Sequence, residues 1–413
     1  MTTPARFRAL LLFFLAASLA WGAVSTWTVL GHASAAANVV AVSEPLSLDA
    51  QRMYRSLADA DVTAATAFLR GPDQPLAARR RYAADIAQAA ASLAALKGGA
   101  ASSAADQRLL AGLATISAGL PVYTGYVAQA QTDYSLGYML TGGSLMQVAS
   151  EQMHLALLPA ARGVYARETA ALAAQSARAT GLPWMAVILV LALLIGATLA
   201  VAQRWLARRT HRVVNAGLLV ASVALVACTA WLAAAVAVAR SDLQQAGRAG
   251  SAPAELLAQA AISAQQARGD EVLNLISRSG DAPFEQDFRA IQARLGPGPG
   301  TLLTRAGQAG AAGRAAGAWY DVNDRAYRLD AGAHYTAETR LVTSTGPSGS
   351  AALFSQVEAD LGRAITADRR AFRASAAAGR AAYGGLAAGV IVAAAVMAAA
   401  SAWGLARRLA EYR

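Results

Sequence analysis

Four stretches of this chain run for 20 to 22 residues without an Asp, Glu, Lys or Arg: Ala9–Leu30, Leu182–Val201, Leu218–Ala239 and Gly384–Leu405. Coiled as α-helix at about 1.5 Å per residue, each reaches about 30 Å, the thickness of a bilayer's hydrocarbon core. The rest of the composition agrees, since 56% of the 413 residues are hydrophobic and only 15% are charged. A soluble protein of this length would struggle to bury that excess. Four transmembrane helices absorb it.

The net charge of +11 could suggest a nucleic-acid partner, but its distribution argues against one. Arg6 and Arg8 precede the first run, Arg204, Arg208, Arg209 and Arg212 crowd the short loop after the second, and Arg407, Arg408 and Arg413, offset by Glu411, follow the fourth. These short segments hold a net +8, so the two long segments between spans are nearly neutral. Arginine in short loops that alternate with long neutral ones is the positive-inside pattern. It places both termini and the arginine loop in the cytoplasm of a plasma-membrane protein, with the long segments outside. The loop arginines are candidate contacts for anionic lipid headgroups and for a cytoplasmic partner. Trp205 and Trp403 at the inner ends, and Trp27 and Trp184 at the outer ends, suit interfacial aromatic belts. "ASA" at Ala33–Ala35 has signal-peptidase spacing, yet the run before it exceeds the roughly 7 to 15 residues of a signal h-region, so a retained anchor is expected.

The expected layout is a cytoplasmic amino terminus (1–8), a first span (9–30), an extracytoplasmic four-helix bundle (31–181), a second span (182–203), the basic cytoplasmic loop (204–215), a third span (216–239), a second extracytoplasmic four-helix bundle (240–383), a fourth span (384–405) and a cytoplasmic tail (406–413). This all-α arrangement reads as one unit used twice. In the first outside segment Leu46, Ala50, Met53, Leu57, Ala60, Ala64 and Ala67 recur at spacings of four and three, a seam for packing on neighbouring helices. Gly- and Pro-rich turns at Gly71–Pro75, Gly296–Gly300 and Gly346–Ser350 separate further helices. Helices entering and leaving the bundles are expected to continue into the spans. The last span is mostly alanine and glycine, which gain little from lipid. Its Gly385, Gly389 and Ala393 form a small-xxx-small face on which another helix could pack closely.

Chemistry is hard to find. The histidines His32, His154, His211 and His334 show no metal spacing, and no phosphate loop, nucleophile elbow or paired cysteine is present. The lone Cys228 lies in the third span, so the outside segments have no disulfide. A protein without enzymatic activity, cofactor or metal is expected. Asp59, Asp61, Asp270 and Glu271 read as solvated helix faces. Tyr126, Tyr134 and Tyr138 share a helical face and read as bundle core, with Trp319, Tyr320, Tyr327 and Tyr335 in the corresponding place of the second segment. No span holds an ionisable residue, which disfavours a transport pathway, and the cytoplasmic parts are too short for a catalytic domain.

The stretches "SEPLSLDAQRMYRSLADADVTAATAFL" (Ser43–Leu69), "YTGYVAQAQTDYSLGYMLTGGSLM" (Tyr123–Met146) and "LLPAARGVY" (Leu157–Tyr165) resemble the four-span actinobacterial membrane proteins of the GlnX type. The likeness is strongest over the first outside segment. What it implies is a signalling relay: an extracytoplasmic amino-acid-binding lipoprotein of the GlnH type, sensing aspartate, glutamate or related amino acids, would pass its state through the chain to a cytosolic serine/threonine kinase of the protein kinase G type. No ligand residues carry over, and homo-oligomerisation is left open. From the residues alone, an envelope scaffold and a bundle receptor that binds its ligand directly are the alternatives.

Overall fold

The computed structural model describes residues 3–71, 76–101, 106–180, 183–210, 215–246, 252–277, 283–308, 310–382 and 384–410, and these are almost wholly helical, with no strand among them. The helices are α1 (Thr3–Asn38), α2 (Glu44–Arg70), α3 (Leu76–Ala101), α4 (Gln107–Ser135), α5 (Met139–Gln152), α6 (Leu158–Thr180), α7 (Pro183–Thr210), α8 (Ala216–Ala246), α9 (Ala252–Ser277), α10 (Pro283–Leu295), α11 (Leu302–Arg305), α12 (Ala311–Ala331), α13 (Tyr335–Thr343), α14 (Ser350–Ala382) and α15 (Leu386–Ala410). Two π turns, Val39–Ser43 and Met153–Leu157, join α1 to α2 and α5 to α6 without a break. The chain forms two compact units, one of residues 1–40, 173–246 and 373–413, the other of residues 41–172 and 247–372.

In the first unit α1 packs on α7 and α15, and α8 packs on the same two, so four helices close a ring. Its interior holds Phe14, Trp21, Leu218, Leu225, Leu232, Val390 and Met397, all nearly inaccessible. The outward faces are just as apolar, with Leu12, Leu19, Leu193, Val201, Val226 and Val392 exposed. Helices apolar inside and outside are stable in lipid and not in water. This unit belongs in a membrane.

Among the described residues five helices, against the four read from the sequence, are long and apolar enough to cross a membrane: the helix of Ala9–Arg70, Gln107–Ser135, Trp184–Trp205, Ala216–Ser241 and Leu386–Arg407. The additional one is α4, the least apolar of the five. It lies in the second unit, where Leu109, Leu113, Ile116, Leu120, Tyr123, Val127 and Ala130 enter a protein core. Its Asp106 side chain caps the first turn through the Arg108 amide, 3.1 Å away.

The two long segments, read from sequence as separate bundles, lie in a single compact unit. Two cores remain visible. One gathers Met53, Tyr54, Leu57, Leu93, Leu96, Leu113, Met146, Met153 and Leu157 from the first segment, but admits Ala258, Ile262 and Val272 of α9. The other is aromatic, with Trp319 edge-on to Phe288 (5.4 Å) and Phe354 (5.2 Å). The join is α2 against α9. Alanine-rich sequence lets parts of both helices be buried on every side, Ser56–Asp61 of α2 and Ala267–Leu273 of α9, while Arg52 and Arg55 stay exposed. The seam from Ala50 to Ala67 is buried as its spacing suggests, and so are Ser56 to Asp61 without interruption.

Two expectations fail here. Tyr138 is 63% exposed and outside any core, because α4 ends at Ser135 and Gly137 turns the chain with φ of +91°. Tyr134 instead meets Phe68 edge-on, and Tyr123 is the fully buried tyrosine of α4. The last outside helix does not run on into the last span: α14 stops at Ala382, and Gly385, with φ of +77°, precedes α15. That conformation favours glycine.

Candidate functional site

The second unit is stitched together by charged side chains that the sequence reading placed in solvent. Asp59, Asp61, Asp270 and Glu271 are all buried, each below 9% exposure. Burying a carboxylate is costly unless it is hydrogen-bonded or neutralised, and the structure answers that cost with three clusters.

In the first, Asp61 of α2 accepts from the Tyr123 hydroxyl (3.2 Å), the Ser150 hydroxyl (3.1 Å) and His154 Nε2 (3.1 Å). His154 sits on the π turn, where an extra residue per turn re-aims a side chain. Burial works against its charged form, but the hydrogen bond and charge of Asp61, and then Asp270, outweigh this and raise its pKa. Gly269 of α9 lets the helix come close at this contact, since a Cβ there would lie 3.0 Å from the imidazole and the ring would have to give way.

The second cluster centres on Arg268 of α9, whose side chain is 2% exposed. Its guanidinium pairs with Glu271 one turn on, and donates to the Ser350 hydroxyl (3.0 Å) and the Val342 carbonyl (3.2 Å). Trp319 Nε1 donates to Glu271 (3.1 Å), and the Ser350 hydroxyl donates to the other Glu271 oxygen. Helices α9, α12 and α14 are thereby locked at one point.

In the third, the Gln265 amide donates to Asp59 (2.6 Å) and Glu358 (2.9 Å), holding two carboxylates together. Arg81 stands 4.0 Å from Asp59 and 3.6 Å from Glu358, and Arg55 is 3.7 Å from Glu358. Burial, then the Glu358 charge, pushes the Asp59 carboxyl up to about 8 against the opposing pull of Arg81. Burial likewise lifts Asp270 to about 7, with His154 pulling the other way.

These shifts predict a pH dependence. A carboxyl whose pKa is higher folded than unfolded binds more protons in the native state between the two values, so stability falls as pH rises through that window. The window runs from the ordinary carboxylate value near 4 to about 8 for Asp59 and about 7 for Asp270. Thermal unfolding should therefore show a lower midpoint at pH 8 than at pH 6, and Asp59→Asn should flatten the difference. An unchanged slope in Asp59→Asn removes that residue from the effect.

Beside the third cluster lies a cavity of about 260 Å³. Helix α2 lines it with Asp59, Thr63, Thr66 and Arg70, α3 with Arg81, α9 with Arg268, and the first two turns of α14 with Phe354 and Glu358. Residues 35–177 match the family model of the actinobacterial sensor domain. No curated protein and no solved structure matches the chain. The match covers about a third of the chain and fits an actinobacterial sensor membrane protein. The sensor-domain region supplies Asp59, Asp61, Arg70, Arg81, Tyr123 and His154, while Gln265, Arg268, Ser350 and Glu358 come from outside it.

Of the residues singled out in the sequence, Arg204 is exposed on α7. Arg208 and Arg209 lie in the last turn of α7, with side chains outside the described set, and Arg212 is outside the described residues altogether. Gly385 lies before α15 in open space, where an added Cβ would meet nothing within 4 Å, whereas Gly389 is pressed against Trp231 of α8, where a Cβ would meet the indole at 2.3 Å, and Ala393 is half-buried. Close approach is densest further along, between Gly217 of α8 and Gly404 of α15. Among the described residues no group of three or more His, Cys, Asp or Glu side chains is arranged to hold a metal ion.

Proposed function

We propose that this chain is a four-span transmembrane relay, with the second unit outside the cell and the arginine loop inside. In this reading the outer unit receives the aspartate- or glutamate-type status of the surroundings through a solute-binding lipoprotein, and the inner arginines engage a serine/threonine kinase. The observation that carries it is the sensor-domain match over residues 35–177, which begins within the helix containing the first apolar run. That helix continues to Arg70, so its far end provides the walls of the Asp61 and Asp59 clusters. A partner shifts such a protein only by its differential affinity for two states, and buried charge clusters whose partners come from distant segments give those states different energies.

The kinase arm is tested by Arg208→Gln with Arg209→Gln. The double variant should keep its topology and lose phosphorylation of kinase substrates in response to external glutamate or aspartate. A normal response excludes these arginines from the relay. Deleting the gene separates relay from scaffold, since a scaffold produces an envelope defect that ignores amino acids. A second reading, direct ligand binding by the outer unit, is favoured by the cavity.

A further inference from the structure

We infer that the cavity beside Asp59 binds a small carboxylate directly, with Arg70 and Arg81 as the guanidinium donors. Its volume of about 260 Å³ falls just short of the roughly 300 to 1,000 Å³ of pockets for drug-sized ligands.

The wall chemistry selects the charge. Three guanidinium groups, from Arg70, Arg81 and Arg268, line the cavity against two carboxyl groups, from Asp59 and Glu358. The Arg268 donors are committed to Glu271, Ser350 and Val342. Arg81 is different. Its ion pairs with Asp59, Asp85 and Glu358 measure 3.6 to 4.0 Å, too long for direct hydrogen bonds, and its side chain is 53% exposed. A planar carboxylate accepts two parallel N–H bonds from such a fork. Arg70 is anchored by one nitrogen to the Thr343 carbonyl, which fixes its head at the wall.

Two further features agree. Asp59, pushed up to about 8 by burial and by Glu358, keeps its proton at neutral pH and does not repel an anion. The first turn of α14, with Ala351 and Ala352 in the lining, adds backbone N–H groups that have no acceptor within the helix.

The inference goes beyond the relay reading, because it needs neither lipoprotein nor kinase. The test is saturable binding to the full-length chain in lipid nanodiscs, followed by thermal shift and calorimetry with succinate, acetate, inorganic phosphate and putrescine. Succinate should bind and raise the unfolding temperature. Arg81→Gln should weaken it about 10- to 100-fold, with the ligand-free unfolding temperature close to that of the parent, because the Arg81 ion pairs are long and half-exposed. Absence of saturable binding by either carboxylate up to about 10 mM, binding of phosphate or putrescine alone, or succinate affinity indifferent to Arg81→Gln would overturn the inference. If binding fails while phosphorylation still answers to external amino acids, this inference falls and the relay stands.

Discussion

Replacing Arg268 by methionine should destabilise the second unit by about 3–5 kcal/mol, the largest single-residue loss expected in it. The magnitude follows from what is left behind. Glu271 would remain buried with its guanidinium partner gone, and the Val342 carbonyl and Ser350 hydroxyl would lose a donor. Removing the charge on both sides should be much milder: Arg268→Met with Glu271→Gln leaves an amide whose oxygen can accept from Trp319 while its NH2 donates to the Ser350 hydroxyl oxygen, and similar exchanges of buried ion pairs for neutral groups are often tolerated. Thermal unfolding of the two variants in nanodiscs measures the difference. A double variant as unstable as the single one would show that the loss comes from packing and not from a stranded charge.

In the first unit, the largest effect is expected at Gly217. A Cβ there would lie 2.4 Å from the Ala400 carbonyl oxygen and 2.5 Å from the Gly404 Cα, both backbone atoms that cannot step aside. The Asn215 side chain fastens the same crossing by donating to the Gly404 carbonyl at 3.1 Å and accepting from the Gly217 amide. In lipid, helices associate through such close packing without help from hydrophobic transfer, so forcing α8 and α15 apart has no compensating gain. Gly217→Ala should cost about 1–3 kcal/mol, whereas Gly31→Ala on α1, with nothing within 4 Å, should gain up to about 1 kcal/mol from helix propensity. Opposite signs in detergent melting curves support the packing; equal small shifts refute it.

What could be read in advance follows from the range of the interactions. Length and apolarity are local properties, so each charge-free run falls, apart from a few residues at its ends, within a helix long and apolar enough to cross a membrane, although the first of these helices runs on to Arg70. The α2 seam was equally legible, because its period lies within one helix. The buried carboxylates were not. Asp59 meets Gln265 more than 200 positions away, and Arg268 meets Ser350 across 82. A polar residue whose partner is so distant looks like surface. A signal was nonetheless present: Ala58, Ala60, Ala64, Ala65 and Ala67 surround Asp59 and Asp61, and Ala260, Ala261, Ala264 and Ala267 precede Arg268. Helices padded with alanine on every side lack the charged face that a solvated helix needs. Tyr138 was misplaced for the opposite reason, since extending α4 through Gly137 carried a periodic argument beyond the helix that justified it.

The first and last apolar runs differ in how the helix carries on beyond them. Ala9–Arg70 is one helix, so a single ladder of backbone hydrogen bonds serves the apolar run and the residues after it. α14 ends at Ala382 and α15 begins at Leu386, with Gly385 at a φ of +77° before it, so the last run starts a ladder of its own.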